Sequence, residues 1–286
     1  MIPVGVISAF RPALWLGTAL ILSGIFHLTL LWVTGAAWEG ALSPRKPGLF
    51  GISAGVTVWS VAWLLTKLNA WRYDRGLATL FAASLFAEVA LITMQYWRGV
   101  PSHFNHATPL DATIEAVMFV LIVFATLCVA VLCWRSNRLP AMDPSLKIAI
   151  RAGLWLLLIS CGLGFVATVA GEMNVARGLP PEVWGHAGVL KYPHGAALHA
   201  IQVLPLFAWL LQWLRSRHAV WLLWAAVGSQ VLFLEHALWQ TSSGRSRFDL
   251  DAAGLVTLAA SGGLLVLLFA GINRSGVLLS RRQRPN

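Results

Sequence analysis

The chain has 286 residues, of which 58% are hydrophobic and 11% are charged, and its formal net charge is +10. With a mean hydropathy of +0.71, this composition excludes an ordinary water-soluble domain, in which about 25% of residues are charged. The Lys and Arg residues lie between apolar runs, a distribution typical of membrane proteins rather than of nucleic-acid-binding proteins.

Eight apolar runs follow one another along the chain, each close to the ~20 residues that cross a ~30 Å hydrocarbon layer. Backbone groups in lipid must be hydrogen-bonded within their own segment, so each run is predicted to be a helix. The runs are expected near residues 13–35, 48–66, 77–97, 111–134, 149–171, 194–214, 218–240 and 251–272. The sequence therefore predicts an all-α, polytopic transmembrane helical bundle that forms one membrane domain over residues 1–286.

The loops predict the orientation of this bundle. Fourteen of the 21 Lys and Arg residues fall at the termini and in the even-numbered loops, and seven fall in the odd-numbered loops. Because cytoplasmic loops carry the excess of Lys and Arg, both termini are expected to be cytoplasmic. The loop after predicted helix 4, which contains Pro140 and Pro144, is the place where the bundle would divide into two halves.

Polar residues concentrate on the predicted outward side, which holds seven of the eight histidines and nine of the 11 acidic residues. Ionisable groups in lipid are costly unless paired, so they usually face the bundle interior and mark a functional site. At 1.5 Å per residue, six of them lie roughly 6–13 Å below the outward helix ends. We expect these six to line one outward-facing cavity, although each alone could be a hydrogen bond that joins helices. They are His27, Glu88, Glu115, His199, Glu235 and His236.

The loop between predicted helices 3 and 4 combines a helix start with a polar turn. Thr108, Pro109 and Asp111 are typical of a helix N-terminus, where proline is pre-organised and a carboxylate is favoured. This signature leaves the preceding turn unexplained: its polar residues could bind a metal, hydrogen-bond a headgroup or be solvated. They are His103, Asn105 and His106.

Two chemistries fit these residue types. Imidazoles on several helices suit zinc, iron or copper, or a haem, and His27, His199 and His236 are the preferred ligand candidates. Without a metal, the buried carboxylates could act as general acids and bases. These acid–base candidates are Glu88, Glu115, Glu235 and Asp111.

Further residues are expected to contact a cofactor or ligand. Gln202 lies three residues after His199 and could orient its ring, as residues around metal ligands do. Arg45 and Lys46 lie just before predicted helix 2, where they are either an interfacial anchor or an anion site at the helix N-terminus. The remaining candidates of this kind are His103, Asn105 and His194.

Several segments resemble a known family. The segment from Arg45 to Ser53, the segment from Pro101 to Asp111, and His194 to Gln202 look like an uncharacterised family of bacterial multi-pass inner-membrane proteins. This resemblance covers most of the chain and implies a helical fold in a bacterial inner membrane. Separately, Ser23-x-x-x-His27 is similar to an element of the alkaline-ceramidase-like membrane hydrolases, which bind zinc through three histidines and an aspartate. The late His-x-x-x-His pair of that superfamily is absent from this chain.

Three classes of function remain open at this stage. A metal- or haem-dependent membrane enzyme or redox protein is the first expectation. The alternatives are a metal-independent acid–base enzyme that acts on a lipid, quinone or isoprenoid, and a non-enzymatic transporter, sensor or assembly factor. Transport would need a polar path through both halves of the membrane, and the predicted cytoplasmic halves contain almost no buried charge. Membrane lipids are the expected partners, and nucleic acid is not.

Overall fold

Seven helices that are long and apolar enough to cross a membrane dominate the computed structural model, which describes residues 10–263. The helices are α1 (Arg11–Thr34), α2 (Arg45–Leu65), α3 (Asp74–Trp97), α4 (Pro109–Ser136), α5 (Pro144–Ala176), α6 (Lys191–Leu198), α7 (Ala200–Trp213) and α8 (Ala219–Ser242). Helices α6 and α7 together form one span, Lys191–Trp213. The predicted multi-pass helical fold is confirmed, whereas the orientation of the termini stays a prediction.

The eighth predicted helix is only partly within the described residues. A short apolar helix, α9, occupies Ala252–Gly263, and the rest of the predicted run, residues 264–272, lies outside them. The chain forms two compact units that divide after Pro140, inside the proline-containing loop where the sequence suggested a division. Helices α1–α4 belong to the first unit and α5–α9 to the second.

The first unit begins with a very close pair of helices. Several glycines on α1 and α2 lie against the backbone of the partner helix, so the two helices approach each other closely. Small residues at such contacts are the usual means of helix association in membranes. Helix α4 starts as the sequence predicted: Thr108 is the N-cap, its hydroxyl accepts a hydrogen bond from the Asp111 amide at 3.1 Å, and Pro109 follows.

A buried ion pair closes the opposite end of the first unit. The guanidinium of Arg135 on α4 donates to the Asp74 carboxylate at the start of α3 and to the Asn69 carbonyl oxygen at 2.7 Å. Asp74 also accepts a hydrogen bond from the Trp71 amide at 2.8 Å. This pair fixes α3 to α4, and the expectation of almost no buried charge in the predicted cytoplasmic halves did not include it.

The second unit is organised around α5, which packs against α6, α7 and α8. Its core uses small residues, among them Ala149, Ala200 and Ala208, so that the helices lie close together. A short hairpin, β1 (Val183–Trp184) paired antiparallel with β2 (Gly188–Val189), follows α5. The span predicted at residues 194–214 begins three residues earlier, at Lys191, and is interrupted at His199.

Candidate functional site

Four ionisable side chains meet at the end of the first unit that contains the α3–α4 loop, residues 98–108. The Nε2 atom of His103 lies 3.6 Å from Oε1 of Glu88, and both Lys46 and Glu115 are within electrostatic reach of the Glu88 carboxylate. We call Lys46, Glu88, His103 and Glu115 the polar cluster. It contains residues of α2, α3, α4 and the loop, and all four were predicted as site residues from the sequence.

Asn105 shapes the loop that carries His103. Its side-chain amide donates to the Pro101 carbonyl oxygen at 3.1 Å, and its side-chain oxygen accepts from the Ala107 amide at 3.2 Å. Its own backbone amide donates to Oε2 of Glu115 at 2.9 Å. Asn105 is buried and is therefore a positioning residue that ties the loop to α4.

His103 is held between polar and aromatic neighbours. Its Nδ1 atom lies 3.0 Å from the Ser102 hydroxyl, on the opposite side of the ring from Glu88. Ring centroids of Phe50 and Phe104 lie 6.2 Å and 6.4 Å from that of the imidazole. The side chain is 25% exposed, so His103 is the member of the cluster that connects Glu88 with the surroundings.

Glu88 is the buried centre of the cluster. Only 7% of the residue is exposed, and its Oε2 atom has no hydrogen-bond partner within residues 10–263. Its separation from the end of α3 places it about 13 Å inside the helix at 1.5 Å per residue. Since nearly all buried polar atoms in proteins are paired, an unpartnered carboxylate oxygen of this kind is typical of a functional group.

Asp111 is engaged in a separate network next to the cluster. Its Oδ1 atom accepts from Gln95 at 3.0 Å and from Arg98 at 2.7 Å, and its Oδ2 atom accepts from the Thr108 hydroxyl at 2.7 Å. Both carboxylate oxygens are thus used to join the end of α3 to the start of α4. This arrangement favours the helix-start interpretation of Asp111 over the acid–base interpretation.

His27 and Arg45 have structural partners of their own. The Nδ1 atom of His27 lies 2.8 Å from the Ser23 carbonyl oxygen, so this nitrogen carries the proton, and Nε2 accepts from the Trp97 indole at 3.2 Å. With both ring nitrogens engaged, the ring ties α1 to α3. Arg45 lies 3.5 Å from Glu39 and packs over the Trp38 ring, as an interfacial anchor would.

The remaining predicted site residues belong to the second unit. His194 lies against α5, where its Nδ1 is 2.8 Å from the Ser160 carbonyl oxygen and where Gly164 leaves room for the ring. His236 is buried, contacts the Thr257 hydroxyl at 3.2 Å and stacks on Phe233.

His199 lies at the α6–α7 interruption, Gln202 follows in the first turn of α7, and Glu235 is exposed on α8. Three of the six residues expected to share a cavity lie in the first unit and three in the second. The common cavity, and the metal site built from His27, His199 and His236, stay predictions.

The aromatic residues beside His103 were not among the site residues predicted from the sequence. Phe50 lies in the first turns of α2, and its contact with the loop has no local signature. Phe104 has a left-handed backbone, with φ of 58°, and the two polar residues that flank it were the available signal for a tight turn. No family model, no curated protein and no solved structure matches the chain.

Proposed function

We propose that this chain is a multi-pass membrane protein with an acid–base site at the polar cluster, facing outward from a bacterial inner membrane. The observation that carries the proposal is the buried Glu88 carboxyl group, which faces the His103 imidazole at 3.6 Å and has one oxygen without a partner within residues 10–263. The outward orientation rests on the distribution of Lys and Arg residues.

The geometry suits the transfer of a proton to or from a substrate. A separation of 3.6 Å is longer than a hydrogen bond, so the pair has a loose contact that a substrate hydroxyl or a water molecule can bridge. Such contacts commonly tighten when substrate binds. A proton released by the substrate can be accepted by the carboxylate or the imidazole, and Lys46 stabilises the negative charge whenever Glu88 is ionised.

Glu115 has a different part in this scheme. The Asn105 amide donates to its Oε2 atom at 2.9 Å, so one carboxylate oxygen is fixed to the loop. A negative charge at Glu115 disfavours a second negative charge at Glu88. Glu115 therefore supports proton uptake at Glu88 while it keeps the loop in place. The substrate class expected for such a site is a lipid, quinone or isoprenoid.

Infrared spectroscopy of the purified protein in lipid nanodiscs tests this proposal. We expect wild-type protein to lose a carboxylic-acid C=O band as the pH is raised, and Glu88→Gln to lack that band because the amide does not titrate. Glu39→Gln, at an exposed carboxylate, should retain it. A band that titrates identically in wild type and Glu88→Gln would refute the assignment of proton exchange to Glu88.

A divalent metal ion is a second candidate at the same end of the unit. A ring nitrogen of His106 and a carboxylate oxygen of Glu115 lie within 4.8 Å of each other, a separation that two ligands of one ion can have. Imidazole and carboxylate together suit zinc, iron or manganese. Metal analysis of the purified protein should then give a stoichiometric metal that is lost in His106→Ala and kept in His218→Ala. Equal metal contents in these two variants would exclude His106 as a ligand.

A further inference from the structure

The charges around Glu88 restrict the head group that the polar cluster can bind, if the proposed acid–base function is correct. An anionic head group such as a phosphate would approach two carboxylates, Glu88 and Glu115. A cationic head group would approach Lys46 and the neighbouring Arg45. Because the cluster holds charges of both signs, a charged head group of either sign is repelled by part of the site, and like charges oppose binding in a medium of low dielectric constant. A neutral head group that donates one hydrogen bond to Glu88 meets neither obstacle.

The surface beside the cluster is apolar and aromatic. Leu49 and Phe50 lie one turn into α2 and are 44% and 41% exposed, and the centroid of the Phe50 ring lies 6.2 Å from that of His103. Phe104 contacts the same imidazole. A flat apolar group that lies against Phe50 would therefore have its polar edge directed at His103 and Glu88.

The backbone of the loop is strained at Phe104. A bulky residue with φ of 58° occupies the left-handed region, which is unfavourable for a residue with a side chain and is maintained only by the surrounding structure. The Asn105 hydrogen bonds supply that support. Strain of this kind concentrates at ligand and active sites, and here the strained residue lies directly after His103, with its ring beside the imidazole.

From the juxtaposition of Glu88, His103 and the exposed Phe50, we infer that the polar cluster binds a phenolic hydroxyl carried on an apolar chain, the head-group chemistry of a quinol. The hydroxyl inserts between His103 and Glu88, donates to the carboxylate and accepts from the imidazole. One 3.6 Å contact is thereby replaced by two hydrogen bonds. The ring packs against Phe50, and the apolar chain extends into the membrane. His103 lies on a loop and is partly exposed, so it can move outward to admit the hydroxyl.

The experiment compares 4-decylphenol with its methyl ether, 4-decylanisole, which keeps the oxygen but carries a methyl group in place of the donor hydrogen. Binding of each to the full-length protein in lipid nanodiscs is measured by ligand-detected NMR titration, with empty nanodiscs as the correction for partition into lipid. At a pH at which the Glu88 carboxylic-acid band has been lost, we expect wild type to bind the phenol at least about tenfold more tightly than the ether, the effect of one hydrogen bond to a charged group. Glu88→Gln should reduce this ratio to near one.

Substitutions of exposed phenylalanines test the contribution of the ligand ring to binding separately from that of its hydroxyl group. Phe50→Ala should weaken both ligands by a similar factor and leave their ratio unchanged, whereas Phe124→Ala, at an exposed residue of α4, should change neither. Equal affinities of wild type for the two ligands, or no binding of either, would overturn the inference. If such a binding result is found while the infrared band of Glu88 still titrates, the acid–base proposal remains intact. If the infrared band of Glu88 is absent, the acid–base proposal itself fails.

Discussion

Replacement of Gly55 by leucine is expected to prevent α1 and α2 from packing and to remove most of the folded protein. A Cβ atom at Gly55 would lie 2.5 Å from the Gly17 carbonyl oxygen and 2.6 Å from a side-chain carbon of Ile21. The first of these atoms belongs to the backbone, so the helices themselves would have to separate. Gly51 is equally close to α1, with 2.7 Å from its built Cβ to the Leu20 carbonyl oxygen.

Overpacking at this contact is expected to cost a large part of the stability of the protein. Adding methylene groups to a packed core costs about 1–3 kcal/mol even where side chains can adjust, and proteins have a total stability of only about 5–15 kcal/mol. In lipid, tight contact between small residues is itself a main source of helix association. Separating α1 from α2 therefore removes the stabilising contact as well as introducing strain.

Gly76 provides a matched control for this prediction. A Cβ atom at this position of α3 meets nothing within 4 Å, so Gly76→Leu should insert and fold like wild type. Size-exclusion chromatography of detergent-solubilised fluorescent fusions, followed by thermal unfolding, measures both variants. Equal monodisperse yield and equal unfolding temperature for Gly55→Leu and Gly76→Leu would show that the α1–α2 contact is dispensable.

The helices were predictable from sequence because a membrane span requires a long apolar run, and that requirement does not depend on neighbouring helices. The side of each helix that faces lipid and the side that faces the protein interior were not predictable. Lipid and protein interior are both apolar, so Trp32, which is 85% exposed, and Leu64, which is fully buried, lie in equally hydrophobic runs. The glycine contacts between α1 and α2 depend on the pairing of the two helices, and the sequence does not specify that pairing.

The location of the candidate site was also predictable, but the roles of its residues were not. Counting residues from the helix ends put Glu88 and Glu115 near one end of the bundle, and the cluster of histidines and Asn105 marked the loop that meets them. The depth of a residue below the helix end did not show whether its role is chemical or structural. His27 was expected to lie as deep as Glu88, yet its partners are Ser23 and Trp97. The Ser23 contact lies within α1, one turn away, whereas the Trp97 contact joins α1 to α3 and arises only from tertiary packing.

The same limit applies to charged residues that have a structural role. Asp74 and Arg135 come from the two ends of the α3–α4 hairpin, and no local pattern indicates that they form a pair. Asp111 did have a local pattern, the Thr108-Pro109 helix start, and the structure agrees with that pattern. Its additional contacts with Gln95 and Arg98 cross between helices and could be found only in the fold.

Asp111→Ala is expected to lower the stability of the protein by about 1.5–3 kcal/mol, the range for hydrogen bonds to a charged group. The substitution leaves the fully buried Gln95 without its carboxylate partner and removes the N-terminal contact of α4. Arg98 is a third exposed, so water replaces part of its lost interaction and the cost stays below that of a fully buried ion pair. Thermal unfolding in detergent measures the loss.

Asp249→Ala is the control, because Asp249 is exposed and a surface change of this kind is usually within about 0.5 kcal/mol. The Glu88 infrared band should survive in folded Asp111→Ala protein, since the polar cluster is held by Asn105 rather than by Asp111. If Asp111→Ala instead unfolds at the same temperature as wild type while the Glu88 band and phenol binding are lost, Asp111 acts in the site itself. The two carboxylates would then belong to one acid–base centre rather than to neighbouring structural and chemical networks.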